Sequence, residues 1–237
     1  MALPKLNDTP KHELVIPSSN QKIRYRPYLV KEEKVMMMAM ESQDMTAILN
    51  AVADTVDACI ENDISTKELA IFDIEYLFTQ IRAKSVGESS KINLKCSNKE
   101  CEVDNEIDVD ISSITIDVPD IDHVIKITDE ISIEMKWPSY SDMLELGITD
   151  AQSANEGAFA MIAKCISAIV TEEERIVTSD VPKKEVSDFI DSMTKDQFSK
   201  VSAYIESMPK LSHTVNFDCN KCKHANEIVL EGLADFF

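Results

Sequence analysis

Two pairs of cysteines carry the clearest chemical signal in this 237-residue sequence. Cys96 and Cys101 are separated by four residues, and Cys219 and Cys222 by two. Each pair joins two strand-like segments, and a tight turn between strands presents both sulfurs from one side. Zinc takes four nitrogen or sulfur ligands in a structural site. The two pairs therefore predict one structural Zn²⁺ per chain, held in a zinc ribbon whose halves are far apart in sequence.

The residues after each pair support this interpretation. Asn105–Ile107 follows the first pair after three residues, and Asn226–Ile228 follows the second pair at the same distance with the same three residue types. This match indicates two related strand–turn–strand units. The 117 residues between Cys101 and Cys219 indicate an inserted helical block. Such an insertion is compatible with one site, because the ligands of a metal must be close in space but need not be close in sequence.

Two alternatives to a four-cysteine site stay open from the sequence. The pairs could be unconnected reduced thiols, or His213 or His224 could replace one sulfur. The remaining cysteines, Cys59 and Cys165, lie in amphipathic helical sequence and are interpreted as small buried apolar residues. A site with four protein ligands has no open position for catalysis, so the predicted metal is structural.

The composition limits the classes of partner. Hydrophobic residues make up 44% of the chain, enough for a packed core. The 24 Lys and Arg residues are outnumbered by 43 Asp and Glu, giving a net charge of -19. Nucleic acids and anionic membranes attract basic proteins, so we expect neither as a partner. With only four glycines, no glycine-rich phosphate loop is recognisable, and we expect no small-molecule substrate.

The chain shows neither an enzyme signature nor a membrane segment. None of its four histidines belongs to a recognisable catalytic motif, so we expect no enzymatic activity. The longest nearly apolar run, residues 158–170, is too short to span a bilayer. Residues 1–11 lack the apolar segment of a secretory signal. We therefore expect a reducing cytoplasm, in which cysteines serve as thiols or metal ligands.

The hydrophobic period changes along the chain and predicts an α+β fold, with helical blocks packed around a small antiparallel β-region. Asp44 is predicted to cap a helix, and residues 155–170 are predicted to form another. The predicted segments are a β-hairpin in residues 1–30, a helical region in 31–88, a β-region with the first cysteine pair in 89–138, a second helical region in 139–210, and the second cysteine pair with a C-terminal tail in 211–237.

Several side chains are candidates for contacts with a partner protein. The methionines of residues 36–45 fill a core or form an adaptable contact surface. The basic residues have two interpretations, helix capping or fixing the register of a partner protein. The terminal phenylalanines either fold back on the core of this chain or insert into a neighbouring protein as anchors. The alternating acids of residues 102–110 are solvated or face a basic partner. The candidates are Arg24, Arg26, Lys31, Met36, Met37, Met38, Arg82, Lys84, Phe236 and Phe237.

Two segments carry a family resemblance. Residues 25–34 (YRPYLVKEEK) and 72–88 (FDIEYLFTQIRAKSVGE), with the cysteine pair that follows Gly87, resemble the baseplate hub proteins of T-even-like contractile-tailed bacteriophages. The resemblance implies a structural protein of virion assembly, either a tail hub subunit or a hub assembly factor that acts as a chaperone. It implies other baseplate hub proteins as partners. The expected location is the host cytoplasm during assembly and, for a retained subunit, the virion tail baseplate.

Two functions of other classes remain as alternatives. A zinc ribbon could bind the host transcription machinery as a regulator, which would require a basic face on this acidic chain. A metal-assisted hydrolase of the tail could act on the cell wall, which would require an open metal position.

Overall fold

The computed structural model describes residues 9–146 and 154–236, which divide into two compact units. Unit 1 comprises the described parts of residues 1–66, 72–117 and 210–237. Unit 2 comprises the described parts of residues 67–71 and 118–209. The second unit is thus inserted into the sequence of the first. Among the described residues, no helix combines the length and apolarity needed to cross a membrane.

Unit 1 begins with a β-hairpin and three helices. Residue types explain two of its junctions. The Asp44 carboxylate accepts hydrogen bonds from the backbone N–H groups of Thr46 and Ala47, which confirms the predicted helix cap. The buried Asp73 carboxylate accepts two hydrogen bonds from Ser18 in the hairpin turn. The elements are β1 (His12–Val15), β2 (Lys22–Tyr25), α1 (Val30–Ser42), α2 (Met45–Cys59) and α3 (Ile71–Ser85).

Unit 1 also contains two antiparallel hairpins of equal length. The first pairs β3 (Ser89–Lys95) with β4 (Asp104–Asp110), and the second pairs β9 (Ser212–Asp218) with β10 (Ala225–Glu231). One face of each hairpin is apolar, and both faces contribute to a shared core. The buried members of that core are Ala83, Leu94, Val109, Ile111, Ile114, Leu211, Val215, Leu230 and Phe236.

Unit 2 combines an antiparallel sheet with helices. The strands are hydrogen-bonded in sequence order, and the helices enclose a separate core that includes Ile133, Ile166 and Tyr204. The strands are β5 (Val124–Lys126), β6 (Ser132–Met135), β7 (Ile166–Val170) and β8 (Arg175–Val177). The helices are α4 (Tyr140–Leu146), α5 (Ala154–Cys165), α6 (Lys183–Asp191) and α7 (Lys195–Glu206). Helices and antiparallel sheets in both units confirm the predicted α+β class.

The prediction of one helix over residues 155–170 is wrong in its last third. The helix ends at Cys165, and Ile166–Val170 is an internal strand that pairs with β6 on one side and β8 on the other. A buried strand flanked on both sides reads as a continuous apolar run, which periodicity cannot distinguish from a helical segment. The inserted block between the cysteine pairs is therefore a mixed unit and not the helical block expected from sequence.

Candidate metal centre

The turns of the two long hairpins bring the four paired cysteines together. The Sγ atoms of Cys96, Cys101, Cys219 and Cys222 all lie within 4.8 Å of one another. The shortest distances run between the hairpins. Cys96 lies 3.7 Å from Cys222, and Cys101 lies 3.8 Å from Cys219, measured between sulfurs. Each hairpin thus supplies half of one cluster, as the matched sequence units predict.

The sulfur spacing fits a tetrahedral zinc site. Zinc–thiolate bonds of about 2.3 Å at tetrahedral angles place neighbouring sulfurs about 3.8 Å apart. A disulfide would require a sulfur–sulfur distance of about 2.05 Å, and all four cysteines are free thiols. Cys96 and Cys219 are buried, Cys101 is half-buried, and Cys222 is exposed. The cluster therefore lies at the surface, with the Cys222 side toward solvent and the Cys96 and Cys219 side toward the protein interior.

Both cysteine turns have the same backbone construction. The residue after the second cysteine has a left-handed conformation in each turn, with φ of 43° at Glu102 and 59° at Lys223. The N–H of the first cysteine donates to the carbonyl two residues beyond the second, at 3.0 Å for Cys96 and 2.9 Å for Cys219. This shared geometry holds two sulfurs of each turn on one side, although the turns differ in length by two residues.

Backbone amides and burial shift the pKa values of the cysteine thiols in opposite directions. The N–H groups of Cys222 and Lys221 donate to the Cys219 sulfur and lower its pKa to about 6. Burial raises the pKa of the Cys96 thiol to about 11. Donors directed at sulfur favour the thiolate, which is the form that binds metal. The turn around Cys219 therefore provides an environment suited to a metal ligand.

The two candidate histidines are not part of the cluster. His213 lies within β9, and His224 is exposed in the second turn. Within residues 9–146 and 154–236, the group of potential metal ligands that the structure brings together consists of these four cysteines. Four sulfurs complete a tetrahedral set, so a histidine ligand is not required.

The candidate partner-binding residues divide into exposed and buried side chains. Met37 and Met38 are 56% and 70% exposed on α1. Arg24, Lys31 and Lys84 are also exposed. By contrast, four others are partly or fully enclosed within unit 1, and Phe237 lies outside the described residues. The enclosed side chains are Arg26, Met36, Arg82 and Phe236.

Internal contacts explain why two of these side chains point inward. The Arg26 guanidinium donates to the Glu32 carboxylate and to the carbonyls of Pro27 and Ala58. Phe236 is fully buried in the core of unit 1, and its carbonyl accepts a hydrogen bond from Ser90 Oγ. Phe236 therefore folds back on the core of its own chain and is not free to insert into a neighbouring protein.

Two residues beside the sulfurs had no role assigned from sequence. Asn105 and Asn226 are the first residues of the matched triplets, and both side chains are almost completely buried. Their hydrogen bonds cross from one hairpin to the other. The repeated asparagine four residues after each second cysteine was the available signal, but it does not reveal which backbone groups the amide reaches.

Comparison with known protein families finds a match that extends over nearly the whole chain. A family model described as "T4 bacteriophage base plate protein" matches residues 9–237. The match covers the described parts of both units and both cysteine pairs. No curated protein and no solved structure shows significant similarity to the chain.

Proposed function

Because the chain belongs to the family of T4 bacteriophage base plate proteins, we propose that it helps to build the central hub of a phage tail baseplate through protein–protein contacts. It serves either as a retained hub subunit or as an assembly chaperone that leaves. The family match over residues 9–237 carries this proposal. The residues that resemble hub proteins, 25–34 and 72–88, support the hub as the location within the baseplate.

We further propose that the four cysteines hold one structural Zn²⁺. The support is the donor set and the 3.7 and 3.8 Å sulfur spacing between the hairpins. When bound, the ion supplies a cross-link between segments 118 or more residues apart. Structural zinc has apparent binding energies of about 10–16 kcal/mol, which adds directly to folding. We assign no catalytic step to the site, because four thiolates leave no open position.

The proposed contact surface lies on α1 and is defined by Met37 and Met38. Exposed methionines adapt their flexible thioethers to the shape of a partner. The basic side chains of Arg24, Lys31 and Lys84 are candidates for fixing orientation, since exposed charge contributes more to specificity and association rate than to affinity. The occupant that we propose for this surface is another protein of the baseplate hub.

Co-expression tests the assembly role. We expect the chain to co-purify with at least one other baseplate hub protein from the same phage. The double variant Met37→Gln/Met38→Gln should weaken that complex at least tenfold without lowering the melting temperature, because both side chains are exposed and glutamine forms helices as well as methionine does. Val229→Ser removes another exposed apolar side chain, on β10, and serves as the matched control. Isolation of the chain alone from every mixture would contradict the proposal.

Mass spectrometry of purified phage tails distinguishes the two forms of the proposal. A retained subunit will be detected in the finished tail in stoichiometric amount. A chaperone will be present in the infected cell and absent from the tail.

Metal analysis tests the zinc site separately. We expect one zinc per purified chain, complete loss of zinc in Cys219→Ser/Cys222→Ser, and a lower melting temperature in that variant. Cys59→Ala/Cys165→Ala removes the same number of thiols from buried positions outside the cluster and should retain the metal. Equal zinc content in both double variants would overturn the site assignment.

A further inference from the structure

Asn105 and Asn226 make reciprocal hydrogen bonds between the two long hairpins. The Asn226 Oδ1 accepts from the backbone N–H of Ser97 at 2.7 Å and from its hydroxyl at 2.8 Å. The Asn105 Oδ1 accepts from the backbone N–H of Asn220 at 2.8 Å. Ser97 directly follows Cys96, and Asn220 directly follows Cys219. Each asparagine thus binds the backbone immediately after the first cysteine of the opposite hairpin.

The amide nitrogen of each asparagine binds its own hairpin. In both cases it donates to the carbonyl of the residue paired with the asparagine across the hairpin and to a carbonyl two residues before it. The acceptors are Leu94 and Val103 for Asn105, and Phe217 and His224 for Asn226, at 2.8–3.4 Å. One side chain therefore connects two strands of one hairpin with the cysteine turn of the other.

This set of bonds requires an amide. Asparagine provides two N–H donors and a carbonyl acceptor on one short side chain. Aspartate keeps the acceptor and loses the donors, and alanine loses both. The side chains are 1% and 3% exposed, so a substitution there leaves buried backbone groups without partners, which is costly. In both hairpins the pattern ends on the residue that directly follows a cysteine of the cluster, which indicates that it serves the sulfur cluster.

We propose that Asn105 and Asn226 are positioning residues of the metal centre and form a reciprocal latch. The latch docks the two hairpins so that their half-sites face each other at the spacing required for one ion before that ion binds. This inference rests on the zinc site proposed above. Groups beyond the direct ligands fix ligand orientation, and their loss typically weakens metal binding 10–100-fold.

The test measures zinc affinity and release in the full-length chain with a competing chromophoric chelator. Asn105→Ala and Asn226→Ala should each raise the zinc dissociation constant about 10–100-fold. In the double variant the dissociation constant should rise by less than the product of the two single-variant factors, because both asparagines stabilise the same docked arrangement. Asn93→Ala and Asn216→Ala are the controls, since these exposed asparagines occupy equivalent positions on β3 and β9 and should leave zinc affinity unchanged.

Cobalt substitution separates positioning from general stabilisation. Wild type should show the absorption of tetrahedral Co²⁺ with four thiolates, and the alanine variants an altered or weaker spectrum. Ser97→Ala removes the hydroxyl donor to Asn226 Oδ1 and leaves the backbone N–H bond in place, so it should cause a smaller loss of affinity and provides a folded variant if alanine at Asn226 prevents folding. Lower melting temperatures with unchanged zinc affinity and cobalt spectra would overturn the latch and leave the zinc site standing. Wild-type protein that binds no metal would overturn both.

Discussion

Among the ionisable side chains, Glu75 of α3 has an unusual environment for a carboxylate. Burial raises its pKa from 4.5 to about 7, although the backbone N–H of Leu233 donates to it and lowers the pKa in part. Leu233 follows Gly232, whose φ of 69° and ψ of 170° lie in a region that glycine occupies almost alone. The carboxyl group therefore contacts the segment that leads to the buried Phe236.

The raised pKa of Glu75 predicts a specific dependence of stability on pH. Between pH 4.5 and 7 the folded chain binds this proton more tightly than the unfolded chain, so the free energy of unfolding falls as pH rises. Glu75→Gln should remove this loss and stabilise the protein at pH 8 by about 1–3 kcal/mol, with little effect at pH 4.5. Urea denaturation of both proteins at the two pH values measures the difference.

Exposed Glu227 provides the control for that measurement. Glu227→Gln makes the same change in net charge on the outer face of β10. We expect it to shift stability little and equally at both pH values. If Glu75→Gln behaved in the same way, the burial of its carboxyl group would have no energetic consequence.

Residue types also explain how much of the metal centre could be predicted. The four cysteines were identifiable because few residues can bind zinc and because their turns repeat. The roles of Asn105 and Asn226 were not, since their acceptors and donors are backbone groups, which every sequence position possesses. Met36 and Met38 show a related limit. One is buried and the other 70% exposed, but consecutive methionines look alike in a sequence.

At the scale of elements, helix boundaries with polar caps were predictable and strand β7 of unit 2 was not. Asp44 marked the start of α2 because an aspartate can bind the free N–H groups of the first turn. No such signal separates α5 from β7. Cys165 and Ile166 are both buried and apolar, and strand pairing with β6 and β8 decides the conformation, which is tertiary information.

The cap of α2 leads to a prediction at this scale. Asp44→Ala removes the acceptor for Thr46 and Ala47, at 2.8 and 3.3 Å, and should destabilise the protein by about 1 kcal/mol. Asp44→Ser should recover most of the loss, because a serine hydroxyl also caps helices. Chemical denaturation measures both variants. Asp63→Ala, an exposed loop change, is the control, and an equal loss there would show that charge and not capping is responsible.

At the scale of the whole molecule, the important feature is that the entire sulfur cluster belongs to one of the two units. All four cysteines of the cluster and both latch asparagines lie in unit 1. The sequence indicated an inserted block because two halves of one site stood far apart. It did not indicate that the insertion has its own sheet and its own core. The segments of β5 and β6 were placed in one predicted β-region with the first cysteine pair, and β7 was predicted as helix.

Trp137 provides an optical probe that is confined to unit 2. It is the only tryptophan in the sequence, it stacks on Tyr204 with ring centroids 4.6 Å apart, and it makes a T-shaped contact with His123. Its fluorescence therefore reports the packing of the unit 2 core. Far-ultraviolet circular dichroism, by contrast, reports helices and strands of both units.

Removal of zinc should consequently affect the two signals differently. After treatment with a chelator, we expect the melting temperature of unit 1, followed by circular dichroism, to fall by at least 10 °C relative to the untreated protein. The reason is that the proposed zinc cross-link would contribute several kcal/mol to the stability of unit 1. The tryptophan transition should move by no more than a few degrees, since all four cysteines of the proposed site belong to unit 1. Coincident shifts of both signals would mean that the two units unfold as one cooperative body, and unchanged transitions would mean that the metal does not stabilise the fold.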